Sequence, residues 1–406
     1  MSTTARADWR TPTAVLICGG MILTLALGLR HGFGLFLQPM TSDLHWGRES
    51  FALALAVQNL VWGASQPFAG MIADKYGAGR VTAGGAVLYI AGLALMAFPF
   101  APWFFVLSSG VLIGMGLSGV TFSLVLGVIG RRYPPEKRSM ALGIAAAAGS
   151  FGQFAMLPLT QWLLTNVGWH GALLTLAAVG VLMIPLALGM VEDKSGGAMH
   201  AFAQSAGQAM REALGHRGYM LLTVGFFVCG FQVVFVGVHL PSYLADRGMP
   251  PHVAVTALAL VGVFNIVGTY IAGWLGGRMS KKYILSFIYF ARAVVFAVFF
   301  WLPLSAVSVY GFAIALGMLW LSTVPVTNGL VAQIFGVRYM AMLTGFAFFS
   351  HQVGSFLGAW LGGKLYDTTG SYDVVWYLAM ALGIVAGLIN LPIDERTIKR
   401  PVPQPA

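Results

Sequence analysis

Gly70-Met71-Ile72-Ala73-Asp74-Lys75-Tyr76-Gly77-Ala78-Gly79-Arg80 is a short charged stretch with apolar sequence on both sides. One apolar window runs over 51–73 and the next over 81–100. A helix needs about 20 mostly apolar residues to cross the hydrocarbon of a bilayer, so the stretch reads as a tight turn at one membrane face. Working outward, further windows lie near 12–38, 103–130, 139–164, 171–191, 218–243, 253–277, 283–302, 304–335, 340–363 and 373–393. Together they make twelve spans. The first is too long for a signal-peptide core and is expected to be retained.

The composition agrees. Of 406 residues 58% are hydrophobic and 9% charged, against roughly 25% charged in soluble domains. Cys18 and Cys229 both fall inside spans, which suggests packing rather than a disulfide or a thiolate metal site. The net charge of +10 would suit a nucleic-acid binder if it were clustered on one patch. Instead, with the N-terminus placed in the cytoplasm, 18 of the 23 lysines and arginines fall in the tails and loops of that side. That bias is the positive-inside rule of polytopic membrane proteins, and it excludes a nucleic-acid partner. It predicts an inner cell membrane protein with both termini cytoplasmic.

The longest segment between spans is 192–217, and it divides the chain into an N-terminal six-helix bundle, 1–191, and a C-terminal one, 218–406. Within this cytoplasmic linker Met199, Phe202, Ala206, Met210 and Leu214 recur at helical spacing, as in an interfacial amphipathic helix; a plain linker is the alternative. At an offset of about 203 residues the halves match. Gly70 falls on Gly273, Gly114-Met115 on Gly317-Met318, Gly168 on Gly370, and Gly143, Gly152 and Phe154 on Gly345, Gly354 and Phe356. Repeats of this kind build many secondary transporters, with the substrate near the midplane between them.

The stretch from Gly70 to Arg80 resembles the G-x-x-x-D-[R/K]-x-G-x-x-[R/K] signature of the major facilitator superfamily. A weaker copy, Gly273-Trp274-Leu275-Gly276-Gly277-Arg278, follows span 8, with glycine at 277 where Asp74 would map. The resemblance implies an all-α polytopic membrane protein, 12 transmembrane helices in two pseudo-symmetric six-helix bundles, rocking in alternating access around a site between them. It also implies that Gly70, Asp74, Lys75, Gly77, Arg80 and Arg278 govern conformation. Arg30-His31-Gly32-Phe33-Gly34 is similar to the first-span pattern of monocarboxylate and oxalate/formate-type carriers, departing where Arg30 replaces an acid. Tyr133 to Gly143 is similar to their loop between spans 4 and 5.

A charged side chain at mid-bilayer costs roughly 2.5–3.5 kcal/mol on insertion scales, so one that persists has a partner or a pathway. All thirteen acids lie in loops, tails or span ends. The ionisable groups left within the spans are Arg30, Arg292, His31, His239 and His351, all neutral or positive. Such a cavity favours an anion, and guanidinium matches a carboxylate in two-point geometry. Arg30 is expected either to bind substrate or to snorkel, and Arg292 either to bind substrate or to brace helix backbone. Asn59, Gln232, Asn265, Asn328 and Gln352 are the further polar candidates and Trp62 and Trp320 the apolar walls, with these polar groups expected to point to one place.

The expected function is therefore secondary transport of a small organic anion, a monocarboxylate, with protons or a counter-anion as co-substrate. No cofactor, metal or catalytic residue is expected, nor any partner beyond the lipid bilayer, the protein working as a monomer. An exporter of drugs or hydrophobic metabolites is the runner-up. Gly116-Leu117-Ser118-Gly119 matches the G-x-S-G of rhomboid proteases, but that fold has half this number of spans and lacks the repeat. A channel would differ in showing no saturable, counter-substrate-accelerated flux.

Overall fold

A computed structural model describes residues 10–191, 205–336 and 339–398. The side chain of Asp74 and residues 192–204 of the expected linker, with Met199 and Phe202, lie outside the described residues. The described residues form helices and no strand: α1 (Pro12–His31), α2 (Leu37–Leu44), α3 (Arg48–Tyr76), α4 (Ala78–Met96), α5 (Pro102–Phe105), α6 (Ile113–Val120), α7 (Phe122–Arg132), α8 (Pro135–Gly180), α9 (Met183–Leu186), α10 (Ala206–Gly215), α11 (Arg217–Asp246), α12 (Pro251–Gly276), α13 (Lys281–Trp301), α14 (Ala306–Leu319), α15 (Thr323–Phe335), α16 (Met340–Thr369) and α17 (Asp373–Asn390). Helix is what lipid dictates, because only helices and closed barrels satisfy every backbone N–H and C=O there.

Nine helical stretches among the described residues are long and apolar enough to cross a bilayer by composition. One of them, Met140–Met190, runs for 51 residues and breaks at Gly168, whose φ of 67° is non-helical, so it supplies two crossings. Helices α3 and α16, of 29 and 30 residues, complete the twelve. They are less apolar because they carry Asn59 and Gln66, and His351 and Gln352.

The chain divides into two compact units, one of residues 1–32 and 64–194, the other of 33–63 and 195–406. In the first, α1 packs along α8; in the second, α11 packs along α16. These pairs are repeat mates, and so is one of their tight contacts. A methyl group on Gly152 would overlap the Thr24 carbonyl oxygen, and one on Gly354 would overlap the carbonyl oxygen of Phe227. The backbone repeats too, since Gly168 and Gly370, paired by sequence, both take positive φ, 67° and 72°. His45, with φ 55° the only such non-glycine among the described residues, sits 203 positions before Gly248, with φ 76°.

Spans 4 and 10 are broken in both units. Thr121, extended at φ −113° and ψ −171°, separates α6 from α7, and residues 320–322 separate α14 from α15. Span 1 is interrupted as well: α1 stops at His31 and tightens into a 3-10 turn, Gly32–Phe36, before α2. At the linker, α10 opens with a capping box of Ser205 and Gln208 and buries Ala209 and Ala213, while Leu214 stays exposed.

Candidate functional site

Arg30 and His31 occupy the last turn of α1 in the first unit, where positive charge suits the carbonyl end of a helix. Both are half-buried. Thr24 ties this segment to α8 through its hydroxyl, which donates to Gly20 O (2.9 Å) and Ala148 O (2.8 Å), and Tyr89 donates to Ala26 O at 3.0 Å.

Arg292, in the second unit, is fully buried and faces the break between α14 and α15. Its Nε donates to Leu319 O (3.1 Å), Nη2 to Leu319 O and Trp320 O (2.5 Å each), and Nη1 to Gln232 Oε1 (3.3 Å). Four of its five N–H groups are thus directed at named acceptors. Gln232 passes the tie on by donating to Ala379 O at 2.9 Å. The opposite polarity of the break is met by Asn265, whose Oδ1 accepts from Leu321 N (3.0 Å) and from Thr269 (3.1 Å). A helix interrupted inside a membrane needs such substitutes, because its freed backbone groups have no water. Trp320 is buried beside them, and Asn328 is half-buried on α15.

Cys229 lies 3.2 Å from Thr323 Oγ1 at the same break and within bonding reach of His351. The His351 ring stacks on Phe348, with centroids 5.7 Å apart, and its Nδ1 is 3.2 Å from Gln352 Oε1. Trp62 meets Phe348 edge-on at 5.5 Å, so Trp62, His351 and Gln352 form one group. Asn59 is buried, its amide donating to Leu55 O at 2.7 Å.

His239 belongs elsewhere. Its Nε2 is 2.7 Å from Ala359 O and its Nδ1 3.3 Å from the Tyr372 hydroxyl. Hydrogen bonds tie Arg292, Gln232 and Asn265 to the α14–α15 break, where Cys229 also meets His351, while His239 is held by Ala359 and Tyr372. Gln232 and His239 are satisfied by neighbouring helices, whereas Asn59 bonds a carbonyl of its own helix.

Of the signature residues, Gly77 closes the α3–α4 turn at φ 95°. Gly70 borders a cavity of about 110 Å³, shared with Gln66, Ser118 and Arg131, and among the described residues nothing beyond its own helix backbone and chain neighbours lies within 4 Å of where its Cβ would be. Lys75 lies 5.0 Å from the Tyr76 ring, Arg278 3.9 Å from the Trp274 ring, and Arg80 is exposed.

A cluster that sequence reasoning missed closes one end of the second unit. Arg48 forms a two-point bridge to Asp246, with both N–O distances 2.6 Å, and donates to the Tyr372 hydroxyl at 2.9 Å. Its guanidinium covers the Tyr366 ring, 3.8 Å from the centroid. Asp367 caps α3 from 319 residues away, accepting from Arg48 N (3.0 Å) and Glu49 N (2.7 Å). Glu49 in turn accepts from Trp360 Nε1 (2.9 Å) and Lys364 Nζ (3.3 Å). Burial raises the Tyr372 phenol above its ordinary range, outweighing the lowering effect of Arg48, so it keeps its proton. The only sequence signal is that Arg48, Arg247 and Lys364 lie in loops opposite the side that holds 18 of the 23 bases.

Residues 16–359 match the family model described as Major Facilitator Superfamily. The chain belongs to the major facilitator superfamily. Among its relatives, monocarboxylate transporter 13 of Rattus norvegicus is 28% identical over 381 residues, covering 91% of this chain and 86% of that one. The uncharacterized MFS-type transporter YcxA of Bacillus subtilis (strain 168) is 25% identical over 383 residues, 89% and 90% of the two chains. Among solved structures, a bacterial homologue of the human lysosomal transporter Spinster superposes with a TM-score of 0.76 at 14% identity, over 97% of this chain and 100% of that one. A D-xylose–proton symporter does so with a TM-score of 0.74 at 17% identity, over 95% and 99%. At those identities the superpositions establish the fold alone. Superfamily membership makes the chain a multi-pass membrane transporter of small molecules.

Proposed function

We propose that this transporter carries small organic anions of the monocarboxylate class by alternating access, as a monomer with both termini in the cytoplasm. The observation that carries this reading is the sign of the charge within the spans: two arginines, three histidines and no acid. Such a lining attracts an anion and repels a cation. The relative named as a monocarboxylate transporter supports the same class. Arg30 is assigned the carboxylate, being half-buried at the interruption of span 1 where Arg292 is fully buried against helix carbonyls. His31, Asn59, Trp62, His351 and Gln352 are assigned to the rest of the substrate, and Gly70, Asp74, Lys75, Gly77, Arg80 and Arg278 to conformational balance. The absence of a carboxylate within the spans leaves coupling to a histidine or to anion exchange.

Uptake of labelled lactate or pyruvate into proteoliposomes tests the reading. Flux is expected to saturate and to accelerate when unlabelled substrate is loaded inside. Arg30→Gln is expected to raise KM by about tenfold or more, since a charged hydrogen bond contributes roughly 1.5–3 kcal/mol. An unchanged KM in that variant, or thermal stabilisation by cationic or neutral amphiphiles alone, would favour the exporter instead.

A further inference from the structure

We propose that His239 is a proton-binding site that controls the clamp formed by Arg48, Asp246 and Tyr372. The donor and acceptor pattern assigns the neutral imidazole its tautomer. Arg48 can only donate, so the Tyr372 oxygen accepts from Nη1 at 2.9 Å, and beside a neutral imidazole its own hydrogen points to His239 Nδ1, 3.3 Å away. The Ala359 carbonyl can only accept, so Nε2, at 2.7 Å, bears the ring hydrogen. In the closed clamp, with His239 neutral, the Nδ1 lone pair is the last acceptor in a chain of donors that starts at Arg48.

A proton arriving from water and binding that lone pair changes two things. The Tyr372 hydrogen loses its acceptor and must turn away, leaving the Tyr372 oxygen to accept from both Arg48 and the imidazolium. The new imidazolium is also a like charge facing Arg48, in a place where His239 has no solvent exposure to screen it. Other charged and titratable groups on the packed elements are Glu49 from α3, Tyr243, Asp246 and Arg247 from the end of α11, Lys364, Tyr366 and Asp367 from α16, and Asp373 beside Tyr372. Asp246 is held in the two-point bridge to Arg48, Asp367 caps α3, and Glu49 is paired with Lys364, so these acids are engaged elsewhere. The sign follows: the clamp is stable while His239 is neutral and weakens as pH falls. By linkage, an opened clamp binds the proton more tightly than a closed one. On the orientation proposed above the clamp lies on the outer side, so external protons would favour its release.

The clamp can be read without substrate, so a failed anion assay would leave this proposal standing, and its own failure would leave the anion site untouched. Nitroxide labels go at Ser42→Cys on α2, six residues before Arg48, and at Thr368→Cys on α16, next to Asp367, both exposed. The background is Cys18→Ala with Cys229→Ser, which removes the two native cysteines. Pulsed spin-resonance distances in nanodiscs are expected to show a longer-distance population that grows several-fold from about pH 8 to about pH 5. Asp246→Asn should show that population at every pH. His239→Gln should make the distances independent of pH, and Tyr372→Phe, which keeps the ring but cuts the relay, should flatten the response while the salt bridge persists. A wild-type distribution that ignores pH, or an undiminished response in both His239→Gln and Tyr372→Phe, would overturn the proposal.

Discussion

Arg30 and Arg292 cost about the same to place in a bilayer, and the fold uses them differently. The guanidinium of Arg292 replaces the helical partners that Leu319 and Trp320 lose where α14 stops. Arg292→Ala should therefore cost roughly 3–5 kcal/mol, the usual penalty for breaking a buried charged network. It would be read as a large fall in Tm by scanning fluorimetry in detergent. Arg292→Lys should recover little of this, because a single ammonium cannot span two carbonyls and an amide at once. Arg30→Gln is expected to leave Tm near wild type and act on KM. A wild-type Tm for Arg292→Ala would show that the break supports itself. The sequence allowed both roles for each arginine. Which acceptors lie within 3 Å of a guanidinium depends on how α13 packs against the α14–α15 break, and no local pattern encodes that.

At the scale of elements, the glycines show where periodicity stops being informative. Gly143, Gly152, Gly345 and Gly354 hold equivalent places in the repeat, yet only Gly152 and Gly354 press against a neighbouring carbonyl; among the described residues nothing beyond their own helix backbone and chain neighbours lies within 4 Å of the Cβ positions of Gly143 and Gly345. Alanine at 152 or 354 is expected to destabilise by about 1–3 kcal/mol, the usual cost of overpacking. Alanine at 143 or 345 should be close to neutral. Equal Tm losses at all four would mean that helix propensity, not packing, selects them. The turn after α2 offers the opposite case. His45 takes φ 55° where its repeat mate is Gly248, so His45→Gly should raise stability by about 1 kcal/mol, measured as an increase in Tm. The helices themselves were legible because hydrophobic windows and tight turns are local. Their interruptions at Gly32, Thr121 and residues 320–322 were not; at 320–322 the opened backbone is satisfied by Arg292 and Asn265 from other helices, which no local pattern encodes.

For the molecule as a whole, the cluster around Arg48 joins segments that are far apart in the chain: the start of α3, the end of α11, the end of α16 and Tyr372. If Arg48 and Asp246 act only on one another, the variants Arg48→Gln and Asp246→Asn should not add. The double variant should shift the Ser42–Thr368 distance distribution no further than either single one, whereas additive shifts would mean each residue acts through separate partners. The sequence by itself determined that the chain lives in a membrane, crosses it twelve times, repeats itself after about 203 residues and keeps acids out of its spans. These properties follow from composition within windows of about 20 residues and from the demand of lipid that backbone groups pair locally. Only the tertiary structure decided that Arg292 serves a helix break, that Asp367 caps a helix 319 residues away, and that His239 faces Tyr372. Those are short-range interactions of about 3 Å between residues distant in sequence, and packing alone brings their partners together.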